Sequence, residues 1–303
     1  MHVIIAGGSG FIGSALTRYL TKRGIPVTIL TRSRKPDTRL VFYARWDGKT
    51  ADGWGELVDS ASAIVNLAGD NIGEGRWTVE KKKRILDSRL QAGQAVMHAL
   101  NQAKNLPRVL IQASAVGYYG NIVAQPGKIV DESTPKGTGF LSDVAAQWEE
   151  STALAEDLGI RRAIIRTGVV LGRQGGALKE ILPFFQAFIG GPFGNGHQGF
   201  PWIHLRDEIR AIAFLMENEN ARGPFNLTSP DTVDMNRFAQ VLGQVLHRPS
   251  LFRVPGFALR AILGEKATEM LLHGNNAFPQ KLLDAGFDFS SPQLQEALHD
   301  IVS

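Results

Sequence analysis

The chain of 303 residues contains no cysteine. That excludes disulfides, thiolate nucleophiles and Cys-ligated metals, and it fits a reducing compartment. Long hydrophobic runs are missing as well. The apolar stretch at the start is too short to span a bilayer and leads straight into glycines, so it reads as a buried strand and not as a signal or transmembrane segment. The expected location is therefore cytoplasmic, with no membrane contact. Charge is nearly balanced, 33 Lys+Arg against 29 Asp+Glu. The densest basic cluster, Lys81, Lys82, Lys83 and Arg84, has no interleaved aromatics and reads as the solvated face of a helix, which argues against a nucleic-acid partner. Internal repeats and low-complexity tracts are absent too, and no metal is expected.

What is present is an ordinary globular balance, 44% hydrophobic and 20% charged residues, in a chain long enough for one large sheet domain with a smaller appended one. Short β-branched runs at 2–6, 27–30, 40–44, 63–67, 108–113 and 162–170 read as strands. They alternate with helical spacing over 11–22, about 79–103 and about 140–158. This alternation predicts an α/β fold, a Rossmann-type doubly wound parallel sheet covered by helices on both faces. After Val170 the rhythm breaks into a glycine-crowded stretch, Gly172 to Gly199, where substrate-facing loops are expected. Helical segments at 234–246, 257–263 and 292–302 complete a smaller, mostly helical C-terminal substrate-side domain. The expected division is 1–170 for the sheet domain, with segments around 200–230 as candidates to return to it, and 171–303 for the remainder.

Gly7-Gly8-Ser9-Gly10-Phe11-Ile12-Gly13 follows the first strand and opens the first helix. Glycine permits the tight turn and the close approach of a pyrophosphate, whose charge meets free N–H groups at the helix N-terminus. About 20 residues on, NAD-binding proteins place an acidic residue for the ribose 2′-hydroxyl. Here Thr31-Arg32-Ser33-Arg34 stands instead, and a guanidinium pairs with a 2′-phosphate where a carboxylate would repel it. NADP(H) is the expected cofactor, with NAD the lesser expectation.

The spacing of Gly7, Gly10 and Gly13 resembles the short-chain dehydrogenase/reductase superfamily in its extended, epimerase-like branch. Asn66-Leu67-Ala68-Gly69, Ser114 through Gly120, Arg166-Thr167-Gly168-Val169 and Trp202 through Asp207 are similar to further segments of that group. Arg76-Trp77-Thr78, Ser88-Arg89 and the tail from Arg253 through Phe287 resemble the YfcH-type epimerase family proteins and their uncharacterised C-terminal domain. The resemblance implies cofactor contacts from Phe11, Ile12, Thr31, Ser33, Leu67, Ala68, Gly69, Arg166, Gly168 and Val169, and a homodimer through the long crossover helices.

One departure counts against simple transfer of activity. Active members of the superfamily carry a Tyr-x-x-x-Lys pair after the fifth strand, whereas the corresponding stretch here is Phe140-Leu141-Ser142-Asp143-Val144. Ser114, at the carboxyl end of the fifth strand, is the leading catalytic candidate, with Tyr119 and Tyr118 beside it. On the substrate side stand Asn195, His197 and Gln198 in the glycine loop, then Trp202 and His204, the last with Asp207 as a possible pair. Two readings stay open. One is an epimerase- or oxidoreductase-like protein acting on a small polar, sugar-like or nucleotide-sugar-like substrate. The other is a non-catalytic NADP(H)-binding sensor.

Overall fold

The structure, a computed structural model, describes residues 1–33, 35–120 and 128–303. Arg34 lies outside the described residues. Strands β1 (Val3–Ala6), β2 (Val27–Thr31), β3 (Val41–Arg45), β4 (Ala63–Asn66), β5 (Val109–Ala115), β6 (Arg161–Thr167) and β7 (Gly223–Leu227) form one sheet in the order β7-β6-β5-β4-β1-β2-β3. Every pairing in it is parallel. The longer helices are α1 (Phe11–Lys22), α2 (Val79–Gln102), α3 (Phe140–Glu150), α4 (Gly176–Gln186), α5 (Leu205–Glu217), α6 (Met235–Leu246), α7 (Gly256–Leu263) and α8 (Leu294–Val302).

The two-residue period of β1 explains why it sits at the centre. Val3 and Ile5 pack with Leu16, Leu20, Ala211 and Leu215 of α1 and α5, while Ile4 and Ala6 pack with Ala92, Val96 and Leu100 of α2. A strand covered on both faces needs apolar side chains at every position, and all four residues of β1 are fully buried. The order reverses between β1 and β4, so the crossover loops diverge there and open a crevice at the carboxyl ends of the strands. A third core joins α4, α6 and α8 through Leu178, Phe185, Phe238, Leu242, Leu298 and Ile301.

Several boundaries differ from expectation. The helix expected over 140–158 ends at Glu150, where Ser151 turns its hydroxyl back onto the Trp148 carbonyl and lies against Gly93 of α2. The expected strand 162–170 divides at Gly168, where a Cβ would stand 2.9 Å from the Thr228 side chain. Residues 169–171 leave the sheet and pair with 202–204. The glycine-crowded stretch also holds α4, and Gly176, with φ +70°, supplies the left-handed residue at its start.

Candidate functional site

The turn from Gly7 to Gly13 carries three separate constraints. Gly7 has φ +79° and a Cβ there would stand 2.8 Å from the Leu67 carbonyl oxygen. At Gly13 a Cβ would stand 2.7 Å from the Gly8 Cα, inside the turn itself. Gly10 is different, because its Cβ would meet only the Gly7 oxygen, at 3.3 Å. The fold thus requires Gly7 and Gly13, whereas Gly10 leaves space above the turn. Gly10 also precedes α1 without a side-chain cap, and no acidic residue stands in the first turn, so the helix presents unpaired N–H groups and positive partial charge. Arg18, Arg173 and Gln174 border the same depression as Ser9, Gly10, Phe11 and Ser14. Phe11 lies on Gly172, Gly175 and Gly176, which brings Arg173 and Gln174 to this edge.

Thr31 closes β2, its hydroxyl accepting from Ser33 N at 3.3 Å. That turn leaves Arg32 exposed at the carboxyl edge of the sheet, with no ion pair among the described residues. On the other side of β1, Asn66 is fully buried. Its amide donates to Gln112 Oε1 at 3.0 Å, and its oxygen accepts from Ala68 N at 3.3 Å, which fixes the run Leu67-Ala68-Gly69 over the glycine turn.

A cleft of about 240 Å³ opens at the carboxyl ends of β5 and β6. Ala115, Val116, Thr167, Gly168 and Val169 form its floor; Leu141, Val144, Ala145 and Trp148 of α3 form one wall; Glu269, Met270, His273 and Asn275 form the opposite one. Leu141 and Ala145 are four apart on α3 and both face the cleft, so the helix presents hydrocarbon there. Arg89 of α2 completes the lining. It is nine-tenths buried, stacks 4.7 Å from the Trp148 ring centroid, and gives one nitrogen to the carbonyls of Asp70 and Ile85. Burial brings its pKa down to about 10, with Asp70 only partly offsetting this. Asp70 itself is ion-paired to Lys81. Arg89 has no carboxylate in ion-pair contact among the described residues.

The residues expected to be catalytic lie elsewhere. Ser114 is buried and donates to Glu149 Oε1 at 2.6 Å. Tyr119 is fully buried, donates to Asn226 Oδ1 at 2.7 Å and accepts from Arg166 at 3.1 Å. Burial pushes its hydroxyl up to about 12, against the pull of Arg166, which is the wrong direction for proton transfer near neutral pH. Tyr118 stacks on the Arg166 guanidinium, 3.5 Å from the ring centroid. Arg166, expected at the cofactor, is held by Glu149 through two hydrogen bonds. Although burial opposes its charge, the Glu149 carboxylate outweighs this and raises its pKa. These residues form a polar core under the strand ends, and none of their side chains lines the cleft.

The expected substrate residues are likewise displaced. Trp202 is core, its indole N–H bonded to the Asp231 carbonyl. His204 caps α5, its Nδ1 accepting from Arg206 N at 2.9 Å, while Asp207 accepts from Ser290, Ser291 and Arg210. Asn195 and His197 are exposed beside the start of α6, and Gln198 bonds to the Phe193 and Leu271 carbonyls. Of the expected residues, Gly168 and Val169 reach the cleft and Gly10 and Phe11 the depression at α1. The cleft is also lined by Arg89, which falls within the Ser88-Arg89 segment of the family resemblance, and by Glu269, His273 and Asn275, which the sequence did not single out.

An open parallel sheet with a glycine turn at its switch point, and a C-terminal segment closing a cleft over β5 and β6, defines a Rossmann-type protein of the extended short-chain dehydrogenase/reductase class. Residues 3–228 match the NAD dependent epimerase/dehydratase family and residues 254–301 a domain of unknown function, DUF1731; the chain belongs to that epimerase/dehydratase family. It is 39% identical over 307 residues to the chloroplastic epimerase family protein SDR39U1 homolog of Arabidopsis thaliana, covering 100% of this chain and 87% of that one. It is 36% identical over 304 residues to the epimerase family protein YfhF of Bacillus subtilis, covering 100% and 98%. Human epimerase family protein SDR39U1, crystallised with NADPH, superposes with a TM-score of 0.91 at 35% identity, over 99% of each chain. A Thermus thermophilus UDP-glucose 4-epimerase shares the fold, with a TM-score of 0.77 at 17% identity over 99% and 98%.

Proposed function

We propose that this chain binds NADP(H) along the carboxyl edge of its sheet and acts on a small polar substrate held in the cleft over β5 and β6. The observation that carries the reading is the pairing of an uncapped α1 N-terminus, free of side-chain bulk at Gly10, with an exposed arginine at the end of β2. The first suits a diphosphate. The second suits a 2′-phosphate in the place where NAD-specific proteins keep a carboxylate. The solved relative with NADPH supports this choice of cofactor. Arg89, buried without a carboxylate partner, would pair with an anionic group of the dinucleotide, and Arg173 with its diphosphate. When bound, the cofactor supplies hydride chemistry; the chain supplies position, a cleft walled by α3 and the C-terminal segment, and polar groups from that segment.

A second reading has its own observation. Leu141, Val144 and Ala145 line the cleft with hydrocarbon along the stretch that corresponds to the superfamily's acid/base pair, which favours a sensor of cofactor state that performs no turnover. Titration of NADPH and NADH, followed by tryptophan and nicotinamide fluorescence, tests the shared premise. Tighter binding of NADPH is expected, and failure of both cofactors to bind would overturn both readings.

A further inference from the structure

Seven buried side-chain polar atoms among the described residues have no hydrogen-bond partner, and three belong to residues lining the one cleft: Trp148 Nε1, His273 Nδ1 and Asn275 Oδ1. Such concentration is unlike the scatter of occasional orphans in a folded core, where an unsatisfied buried group is costly and rare. Asn275 is nine-tenths buried, and its Nδ2 donates to the Val116 carbonyl at 2.9 Å. That bond fixes the amide orientation and leaves Oδ1 as an acceptor without a donor.

The segment is built to hold these groups. Residues 268–272 form a single π-helical turn, closed by His273 N donating to the Thr268 carbonyl at 3.1 Å, a geometry that recurs at functional sites. Gly274 then crosses Gly199 so closely that a Cβ on either would collide with the other segment's backbone. The crossing clamps His273 and Asn275 from both sides in sequence.

We propose that Trp148, His273 and Asn275 form a subsite for a compact, neutral, hydroxyl-bearing ligand of triose or tetrose size. The inference rests on the cofactor reading above. A hydroxyl both donates and accepts, which matches a set made of an indole N–H donor, an amide-oxygen acceptor and an imidazole nitrogen that can do either. Neutrality follows from the charges. Glu269 is directed to the start of α3, where it accepts from Leu141 N at 3.3 Å, and Arg89 serves the cofactor. Compactness follows from the cleft of about 240 Å³, below the roughly 300–1,000 Å³ usual for ligand sites. Leu141, Val144 and Met270 would lie against the carbon chain.

The test uses the full chain loaded with NADPH, glycerol and dihydroxyacetone as probes, and saturation-transfer NMR as the readout, with UDP-glucose as comparison. Both probes are expected to bind wild type, and His273→Phe and Asn275→Ala each to weaken them about fivefold, the worth of one hydrogen bond, with NADPH affinity unchanged. His273→Phe keeps the ring and carries the test should Asn275→Ala fail to fold. NADPH binding without probe binding, equal probe binding in the variants, or preferential binding of UDP-glucose overturns the inference and leaves the cofactor reading standing. So does a crystal structure in which a water bridging His273 and Asn275 survives saturating probe. Failure of NADPH itself to bind overturns the cofactor reading instead.

Discussion

Glu149 grips Arg166 through two hydrogen bonds, Oε1 to Nε at 2.8 Å and Oε2 to Nη2 at 2.9 Å, with the arginine almost wholly out of solvent. Ser114 adds a third bond to the same carboxylate. The serine that looks catalytic from its strand-end position therefore serves the ion pair. Removing one member of a buried pair leaves the other charge unmatched, at a cost of roughly 3–5 kcal/mol. Glu149→Ala is expected to lower stability by that amount in urea unfolding. Ser114→Ala loses one charge-assisted bond, about 1.5–3 kcal/mol, and leaves NADPH affinity unchanged. A Ser114→Ala protein of wild-type stability with impaired turnover would return the serine to catalysis.

The glycine turn separates folding from binding. Gly10→Val is expected to keep the fold once the Gly7 carbonyl, 3.3 Å from the new Cβ, gives by a few tenths of an ångström, and to abolish NADPH binding by filling the diphosphate's space. Gly13→Ala forces its methyl into the backbone of Gly7 and Gly8, so it is expected to destabilise by about 1–3 kcal/mol, the usual cost of overpacking. Circular dichroism with NADPH titration checks both. A Gly10→Val protein that binds like wild type would move the diphosphate elsewhere.

Much of the fold was legible because its determinants are local. The runs of β1 and β2 and the glycines between them specify their conformation within a few residues, and Arg32 falls at a fixed offset from the turn. The helix α5 was not recognised because Asp207 and Glu208, both fully buried, interrupt its apolar face. The cleft was illegible for a different reason. His273 and Asn275 come to the cleft only where residue 274 crosses residue 199, and the Ser114 hydroxyl is bonded to Glu149, distant in sequence. Polar residues whose partners come from far along the chain carry no periodic signal.

Glu208 sets a dependence of stability on pH. Complete burial pushes its carboxyl up to about 8, with a bond from Thr167 at 2.9 Å the only relief. The folded state thus holds the proton while the unfolded state, titrating near 4.5, releases it. This stability is fully present below the unfolded value and declines by roughly 1.4 kcal/mol per unit as pH rises toward 8. Glu208→Gln keeps the acceptor for Thr167 and removes the titration. Its Tm is expected to gain steadily on wild type between pH 5 and pH 8. Parallel pH profiles for the two proteins would mean that Glu208 ionises normally or reaches solvent.

Arg32 gives the sharpest test of cofactor choice, because it stands exposed at the carboxyl end of β2 with no ion pair among the described residues. An arginine held by a neighbouring carboxylate would have to break that pair to meet a phosphate; this one does not. Charge-assisted bonds to a 2′-phosphate, roughly 1.5–3 kcal/mol, favour NADPH over NADH by about tenfold or more. Arg32→Asp replaces attraction by repulsion and offers the ribose hydroxyls an acceptor instead, so NADPH should weaken strongly while NADH holds or improves slightly. Raising salt should narrow the wild-type preference, since an exposed pair is screened. The salt response also separates this site from Arg89, whose burial shields it: an Arg89→Met protein should lose affinity for both cofactors alike and keep their ratio. Isothermal titration of both cofactors at two salt concentrations reads all of this, and equal affinities in the wild type would reduce Arg32 to a surface residue.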